Sequence, residues 1–476
     1  MESFTHTMVR GTFLADTLTP VALYYTLCPK PYGYLLESVE GGERWGRYSM
    51  IGLPAREWVR VKNGVIRRFV DGVCVEESDE EVFAFLKRYH GSRHIANLPQ
   101  DVPFAGGLVG YFGYDTIGYI EPKLAKRPEK DTLDVADMFF CLSEEVVVLD
   151  NLRGEAHVLV LADVREEGAI ARAEARVQAI MDRVASAQLP PLLSLNRADT
   201  SRFAIEYELG EAGYKAAVAK IREYVMAGDV MQVVPSQRMS IAFERTPLDL
   251  YRALRVINPS PYMYLMDFED HQIVAASPEI LVRMQGDTAT VRPIAGTRRR
   301  GATPEEDLAL ERELLADEKE RAEHAMLIDL GRNDIGRISE AGTVKITEEM
   351  VIERYSHVMH IVSNVEGKVR KGVDAIDALK ATFPAGTLSG APKIRAMQII
   401  DEVEVSRRGV YGGAGGYWSW SGNMDMAITI RTGLIKNGRL YVQAGGGIVY
   451  DSEPEAEWQE TLNKSMALIK AASMIV

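Results

Sequence analysis

Two stretches of the chain repeat the pattern Glu-x-x-Glu. Glu320 and Glu323 lie in Asp317-Glu318-Lys319-Glu320-Arg321-Ala322-Glu323-His324, and Glu457 and Glu460 in Glu455-Ala456-Glu457-Trp458-Gln459-Glu460 near the C-terminus. Residues three apart are neighbours on one helix face. Mg²⁺ takes oxygen ligands and usually only one or two carboxylates, leaving water and substrate to complete its shell. Two facing helices with one ligand each would suit it. The same spacing fits ordinary solvated helix faces, and Asp317 with Glu320 also fits a capping box. Three further segments are glycine-rich: Tyr411-Gly412-Gly413-Ala414-Gly415-Gly416-Tyr417, Ala444-Gly445-Gly446-Gly447 and Gly386-Thr387-Leu388-Ser389-Gly390. Glycine inside a strand often marks a close approach by a ligand or another backbone, and exposed N–H groups there can bind anionic oxygens. None has the spacing of a dinucleotide or P-loop motif, and tight turns explain each one taken alone. Arg431, whose planar fork suits a carboxylate, and Lys464, a compact charge, are the cations to pair with them. These residues point to a metal and an anionic ligand without naming the molecule.

Several elements must position these groups. Glu57 to Val61 and Val65 to Val70 are β-prone runs around Asn63-Gly64, a strong hairpin signal. Runs at 145–150 and 156–161 predict two more strands. Ile170, Val177, Ile180 and Val184 predict a helix that ends before Pro190-Pro191. A boundary between about Ala185 and Phe203 divides the chain into an N-terminal region, 1–190, and a C-terminal region, 203–476. The second region opens with a helix carrying Tyr214, Val218, Ile221 and Val225, stopped at Gly228. In the last helix Glu457, Glu460 and Lys464 share one face, and Trp458, Leu462, Met466 and Ile469 form the apolar stripe. Hairpins mixed with helices give an α+β fold in layers rather than a doubly wound parallel sheet.

With 55 basic and 68 acidic residues the formal charge is −13, and the one basic run is Arg298-Arg299-Arg300. No nucleic-acid or anionic-membrane surface is expected, so cations for an anionic substrate must be local. Cys28, Cys74 and Cys141 show no metal spacing and read as buried small apolar residues in a reducing compartment. The N-terminus lacks signal-peptide features, and no apolar run reaches membrane-spanning length. A cytoplasmic location is expected.

Pro293-Ile294-Ala295-Gly296-Thr297-Arg298, the stretch from Asp317 to Gly331-Arg332-Asn333-Asp334, Phe383-Pro384-Ala385-Gly386-Thr387-Leu388-Ser389-Gly390-Ala391-Pro392-Lys393 and Ser452-Glu453-Pro454-Glu455-Ala456-Glu457 resemble, in order, the signatures of the chorismate-utilising enzymes. The resemblance covers most of the chain. It implies a layered β-sandwich flanked by helices, with Glu323 and Glu460 holding Mg²⁺ and Glu320 and Glu457 beside them. The metal would chelate the ring carboxylate of chorismate. Tyr411 and Arg431 would hold the enolpyruvyl carboxylate; Gly445, Gly446, Gly447 and Lys464 would complete the anion site, and Thr387 would line it. Glu279 matches the family's general acid, which must be protonated when it acts. His360, preferred to His357, matches the histidine acting in pyruvate elimination.

Two positions separate the chemistries of the family. Gln232 stands where water-adding relatives carry a lysine base, and Ala295 where aminodeoxychorismate-forming relatives carry a nucleophilic lysine. Both point to the anthranilate-forming branch, which converts chorismate and ammonia to anthranilate and pyruvate in tryptophan biosynthesis. An aminodeoxychorismate synthase and a non-catalytic regulatory subunit are the competing readings. Leu35-Leu36-Glu37-Ser38 resembles the tryptophan-binding element of feedback-regulated members, with Pro261, Tyr262 and Met263 expected as its facing wall. No cysteine sits in a glutaminase elbow, so a separate glutamine amidotransferase subunit is expected to supply ammonia.

Overall fold

The computed structural model describes residues 4–39, 46–125, 130–355 and 358–475; His357 lies outside them. Strand and helix formation follows local rules where the sequence is strongly patterned. Strands Glu57–Lys62 and Val65–Val70 pair antiparallel across Asn63 and Gly64, both at positive φ, as a two-residue hairpin requires. The Ala169–Ala185 helix buries Ala169, Ala173, Val177, Ile180 and Val184. Ile170, expected on that face, is 49% exposed, because alanines occupy the first two turns of the buried stripe. The Gly210–Met226 helix buries Tyr214, Val218 and Ile221, and Gly228 follows it at positive φ. No regular element spans 186–199, where Leu189 and Leu192 are exposed.

Among the described residues, two twelve-stranded sheets dominate an α+β architecture. In the first sheet Tyr34–Glu37 pairs with Tyr262–Asp267, which continues through Gln272–Ser277 to Thr432–Lys436 and Arg439–Gly445. In the second, Gly107–Phe112 pairs with Ala414–Ser419, and the sheet extends through Met424–Ile428 and Ile280–Gln285 toward Ile294–Arg299. Both sheets therefore take strands from either side of the 190–203 segment.

One core cluster joins residues such as Tyr34, Trp58, Phe139, Tyr264 and Met426, drawn from both sheets. Another packs the helices Pro20–Leu27, Ala169–Ala185, Pro247–Ile257 and Pro454–Met474 against the first sheet. The basic run is neutralised locally: Arg298 pairs with Glu313 and Asp317, Arg299 with Glu306, and Arg300 with Asp307. Cys141 is buried as expected, whereas Cys74 is exposed on the edge strand Val73–Ser78, where no second layer covers it. Among the described residues no helix is long and apolar enough to cross a membrane.

Candidate active site

Glu279 leads into the Ile280–Gln285 strand and is buried. Its carboxyl receives the Thr387 hydroxyl, 3.4 Å from both oxygens, and Lys464 is the cation facing it. Burial outweighs these stabilising contacts and pushes its pKa up to about 8. Glu279 is thus a protonated acid at neutral pH.

Lys464 comes from the Pro454–Met474 helix. Its ammonium lies 2.5 Å from Glu460 and donates to the Gly445 carbonyl at 3.0 Å. Arg431 donates to the Lys464 carbonyl at 3.0 Å, from a residue at φ 51°. A non-glycine residue in the left-handed region carries about 1 kcal/mol of strain or more, and such strain concentrates at functional sites. Tyr411 is buried; its hydroxyl meets the Gly445 backbone N–H and feels the charge of Arg431. The glycine run is steric in origin. A Cβ at Gly446 would sit 3.0 Å from Glu457 Oε2 and 3.3 Å from Glu460 Oε1, and one at Gly447 would sit 2.0 Å from the Gln232 amide.

His360 lies on Val358–Lys368, in register with Thr297. Its Nδ1 is 3.0 Å from the Gly296 carbonyl, which can only accept, so Nδ1 carries the proton and Nε2 is left as a base. Burial and the Arg431 charge lower its pKa, keeping the ring neutral.

The Glu318–Gly336 helix starts at Asp317, whose carboxylate accepts from the N–H groups of Lys319 and Glu320; this is the cap half of the expected box. Glu320 and Glu457 both have raised pKa values, first through burial and then through repulsion from Glu323 and Glu460 respectively. The Lys319 charge reaches Glu457, so the start of the Glu318–Gly336 helix lies near the Pro454–Met474 helix. Among the described residues no three acidic, His or Cys side chains converge as a ready chelate. Glu457 Oε2, however, is buried without a hydrogen-bond partner. An orphaned carboxylate oxygen amid crowded carboxylates fits a hard divalent cation.

A second site lies between the sheets. A cavity of about 370 Å³ is lined by Glu37, Ser38, Pro261, Tyr262 and Met263, and also by Arg47, Tyr264, Arg283, Tyr417 and Asp425. Glu37 is anchored by Tyr251 and Arg255, each at 2.6 Å. Glu37 and Met263 are paired across adjacent strands, so Pro261 to Met263 flank the Glu37 strand instead of facing it. The opposite wall is the second sheet, where Arg283 pairs with Asp425 at 2.7 Å and both reach the Tyr262 hydroxyl. Sequence reasoning did not find Tyr264, Arg283, Tyr417 or Asp425 as part of this cavity; only the alternation along their strands, Tyr262–Asp267 in the first sheet and the others in the second, offered a signal.

A profile for chorismate binding enzymes matches residues 57–470. Anthranilate synthase component 1 of Pseudomonas aeruginosa is 54% identical over 97% of this chain and 94% of its own length. Its counterpart in Aquifex aeolicus is 46% identical over 96% and 93%. The crystal structure of anthranilate synthase component I from Streptococcus pneumoniae superposes with a TM-score of 0.78 at 38% identity, covering 90% of this chain and 95% of that one. The menaquinone-specific isochorismate synthase of Escherichia coli shares the fold, with a TM-score of 0.75 at 16% identity. The chain belongs to the chorismate binding enzymes and, within them, to the family of anthranilate synthase component 1.

Proposed function

We propose that this chain converts chorismate and ammonia to anthranilate and pyruvate, and that the buried, protonated Glu279 beneath Thr387 carries the first step. Arg431 and Tyr411 hold the enolpyruvyl carboxylate, and Lys464 with the backbone of Gly445 to Gly447 completes the anion site. Glu279 gives its proton to the departing ring hydroxyl, which leaves as water, while ammonia adds to the ring carbon beside the carboxylate-bearing one and the two ring double bonds shift to carry the electron pair to the carbon that loses the hydroxyl. Ala295 offers only a methyl group, so no covalent enzyme–ring bond forms there. Gln232 is buried beside Gly447 and has no basic amine to activate water. In the second step Nε2 of His360 takes the ring proton as the bond to the enolpyruvyl oxygen breaks, and the ring becomes aromatic.

Glu323 and Glu460 would hold Mg²⁺, with Glu320 and Glu457 beside them. When bound, the ion supplies positive charge that neutralises and orients the ring carboxylate. A separate glutamine amidotransferase subunit in the cytoplasm delivers the ammonia. Tryptophan, bound in the inter-sheet cavity, shifts the population toward an inactive arrangement. Its indole suits the walls of Met50, Met263 and Met424, and its ammonium and carboxylate suit the charged groups there.

The test is anthranilate fluorescence from purified protein given chorismate, Mg²⁺ and ammonium, with and without EDTA. A signal that EDTA abolishes supports the reading. A different product from chorismate under the same conditions would overturn it.

A further inference from the structure

Arg408 is the largest side chain buried to near completion, and it lies outside every group assigned above. It follows the Lys393–Val403 helix and pairs with Glu404 at 2.6 Å, both side chains being over nine-tenths buried. Two of its other N–H groups donate to backbone carbonyls, Leu388 and Val234, each at 2.7 Å. Its guanidinium carbon stands 4.4 Å from the centre of the Tyr114 ring and 5.6 Å from that of Tyr411. Glu404 reaches further, accepting from both the N–H and the hydroxyl of Ser236 at 2.8 Å.

A buried ion pair is a poor stability device, since hydrocarbon of the same shape is often as stable or better. What hydrocarbon cannot supply is a rigid planar fork with donors in fixed directions. Here the fork ties down two pieces of the active site. Leu388 directly follows Thr387, which donates to the Glu279 carboxyl, and the Tyr411 ring is one of the two that flank the guanidinium. Gly412 beside it is at φ 76°, and a Cβ there would stand 3.2 Å from the Tyr114 ring, the other aromatic against the guanidinium.

We infer that Arg408, held in place by Glu404, is a positioning residue: one guanidinium sets the Thr387 turn against Glu279 and the Tyr411 ring against the substrate carboxylate. The inference rests on the reaction proposed above. It also separates two kinds of damage. Moving Thr387 changes proton transfer and hence kcat, whereas moving Tyr411 changes the hold on chorismate and hence KM.

The experiment compares R408K, E404Q and T387V with the wild-type chain, using ammonium as the nitrogen source and normalising to folded protein by circular dichroism. R408K keeps the charge but loses the fork. Its kcat is expected to fall on the order of 100-fold, the loss a small misplacement of a reacting group produces, and its KM for chorismate to rise. The Thr387 contact holds the Glu279 pKa down against burial. Loosening it therefore moves the basic limb of the kcat profile to higher pH in R408K, in the same direction as in T387V. E404Q shows the same signs at smaller size and decides the matter if R408K does not fold. An R408K or E404Q protein with lowered Tm but wild-type kcat, KM and pH limb overturns the inference. A wild-type chain that makes no anthranilate at any pH overturns the proposed reaction instead, so the two failures are distinguishable.

Discussion

In the catalytic cleft, charge is distributed over several elements, and most groups already have a partner inside the protein. Lys464 holds Glu460, Arg431 holds the backbone of Lys464, and Thr387 covers Glu279. The inter-sheet cavity is different: a void of about 370 Å³ whose walls come from two sheets and whose ion pairs, Glu37 with Arg255 and Arg283 with Asp425, belong to the walls themselves. The cleft is preorganised by electrostatics, with one carboxylate oxygen left orphaned; the cavity is preorganised by shape. If the proposed roles of cleft and cavity hold, chemistry and control are separable by mutation. Changes in the cleft should alter turnover while leaving the cavity's ligand response intact, and changes in the cavity should do the reverse.

The largest effect that could break this contrast is Glu279→Gln. Removing the acid is expected to cost kcat about 10²- to 10⁴-fold, while tryptophan still raises the melting temperature as in the wild type. A variant that loses both responses would show the two sites to be one unit. Next comes Glu460→Gln, or removal of the metal by EDTA. Either should lower anthranilate formation on the order of 100-fold or more, consistent with the several kcal/mol a metal supplies in charge stabilisation. Isothermal titration with Mg²⁺ reads the ligand loss directly, without reference to turnover.

The pH profile sharpens the comparison. In the role proposed for it Glu279 acts in its protonated form, and burial raises its pKa to about 8. Activity is therefore full below that value and falls about tenfold per unit above it; a profile flat to pH 9.5 would remove Glu279 from the role. On the other side of the contrast, Ser38→Phe fills the cavity. The tryptophan concentration that halves activity should rise roughly tenfold or more, about 1.4 kcal/mol of binding; equal inhibition of both proteins would exclude the cavity as the inhibitor site. The smallest effect belongs to Leu192→Ser in the exposed 186–199 segment, where urea unfolding should shift by no more than about 0.5 kcal/mol.

Local physics made much of the molecule legible without coordinates. Asn63-Gly64 specifies its hairpin because both residues tolerate positive φ, and the Tyr214, Val218 and Ile221 stripe specifies a helix because its period is that of a helix. Residue chemistry went further at the cleft. The Glu-x-x-Glu pairs, the Gly445 to Gly447 run, Arg431 and Lys464 could be singled out by type and spacing. Their joint meaning came from the resemblance of whole blocks rather than from any one spacing.

What the chain alone left open was every feature that depends on distant segments meeting. Whether Pro261 to Met263 would face Glu37 or flank it hinged on the pairing of two strands more than two hundred residues apart, and nothing local encodes that register. Cys74 is exposed because no neighbouring element covers its edge strand, which residue type cannot reveal. Arg408 shows the limit most clearly. In sequence it is one arginine beside another, before Gly409. Glu404 and Tyr411 are its near neighbours in the chain, but its burial and fixed direction exist only because three distant segments, carrying Tyr114, Val234 and Leu388, converge on it.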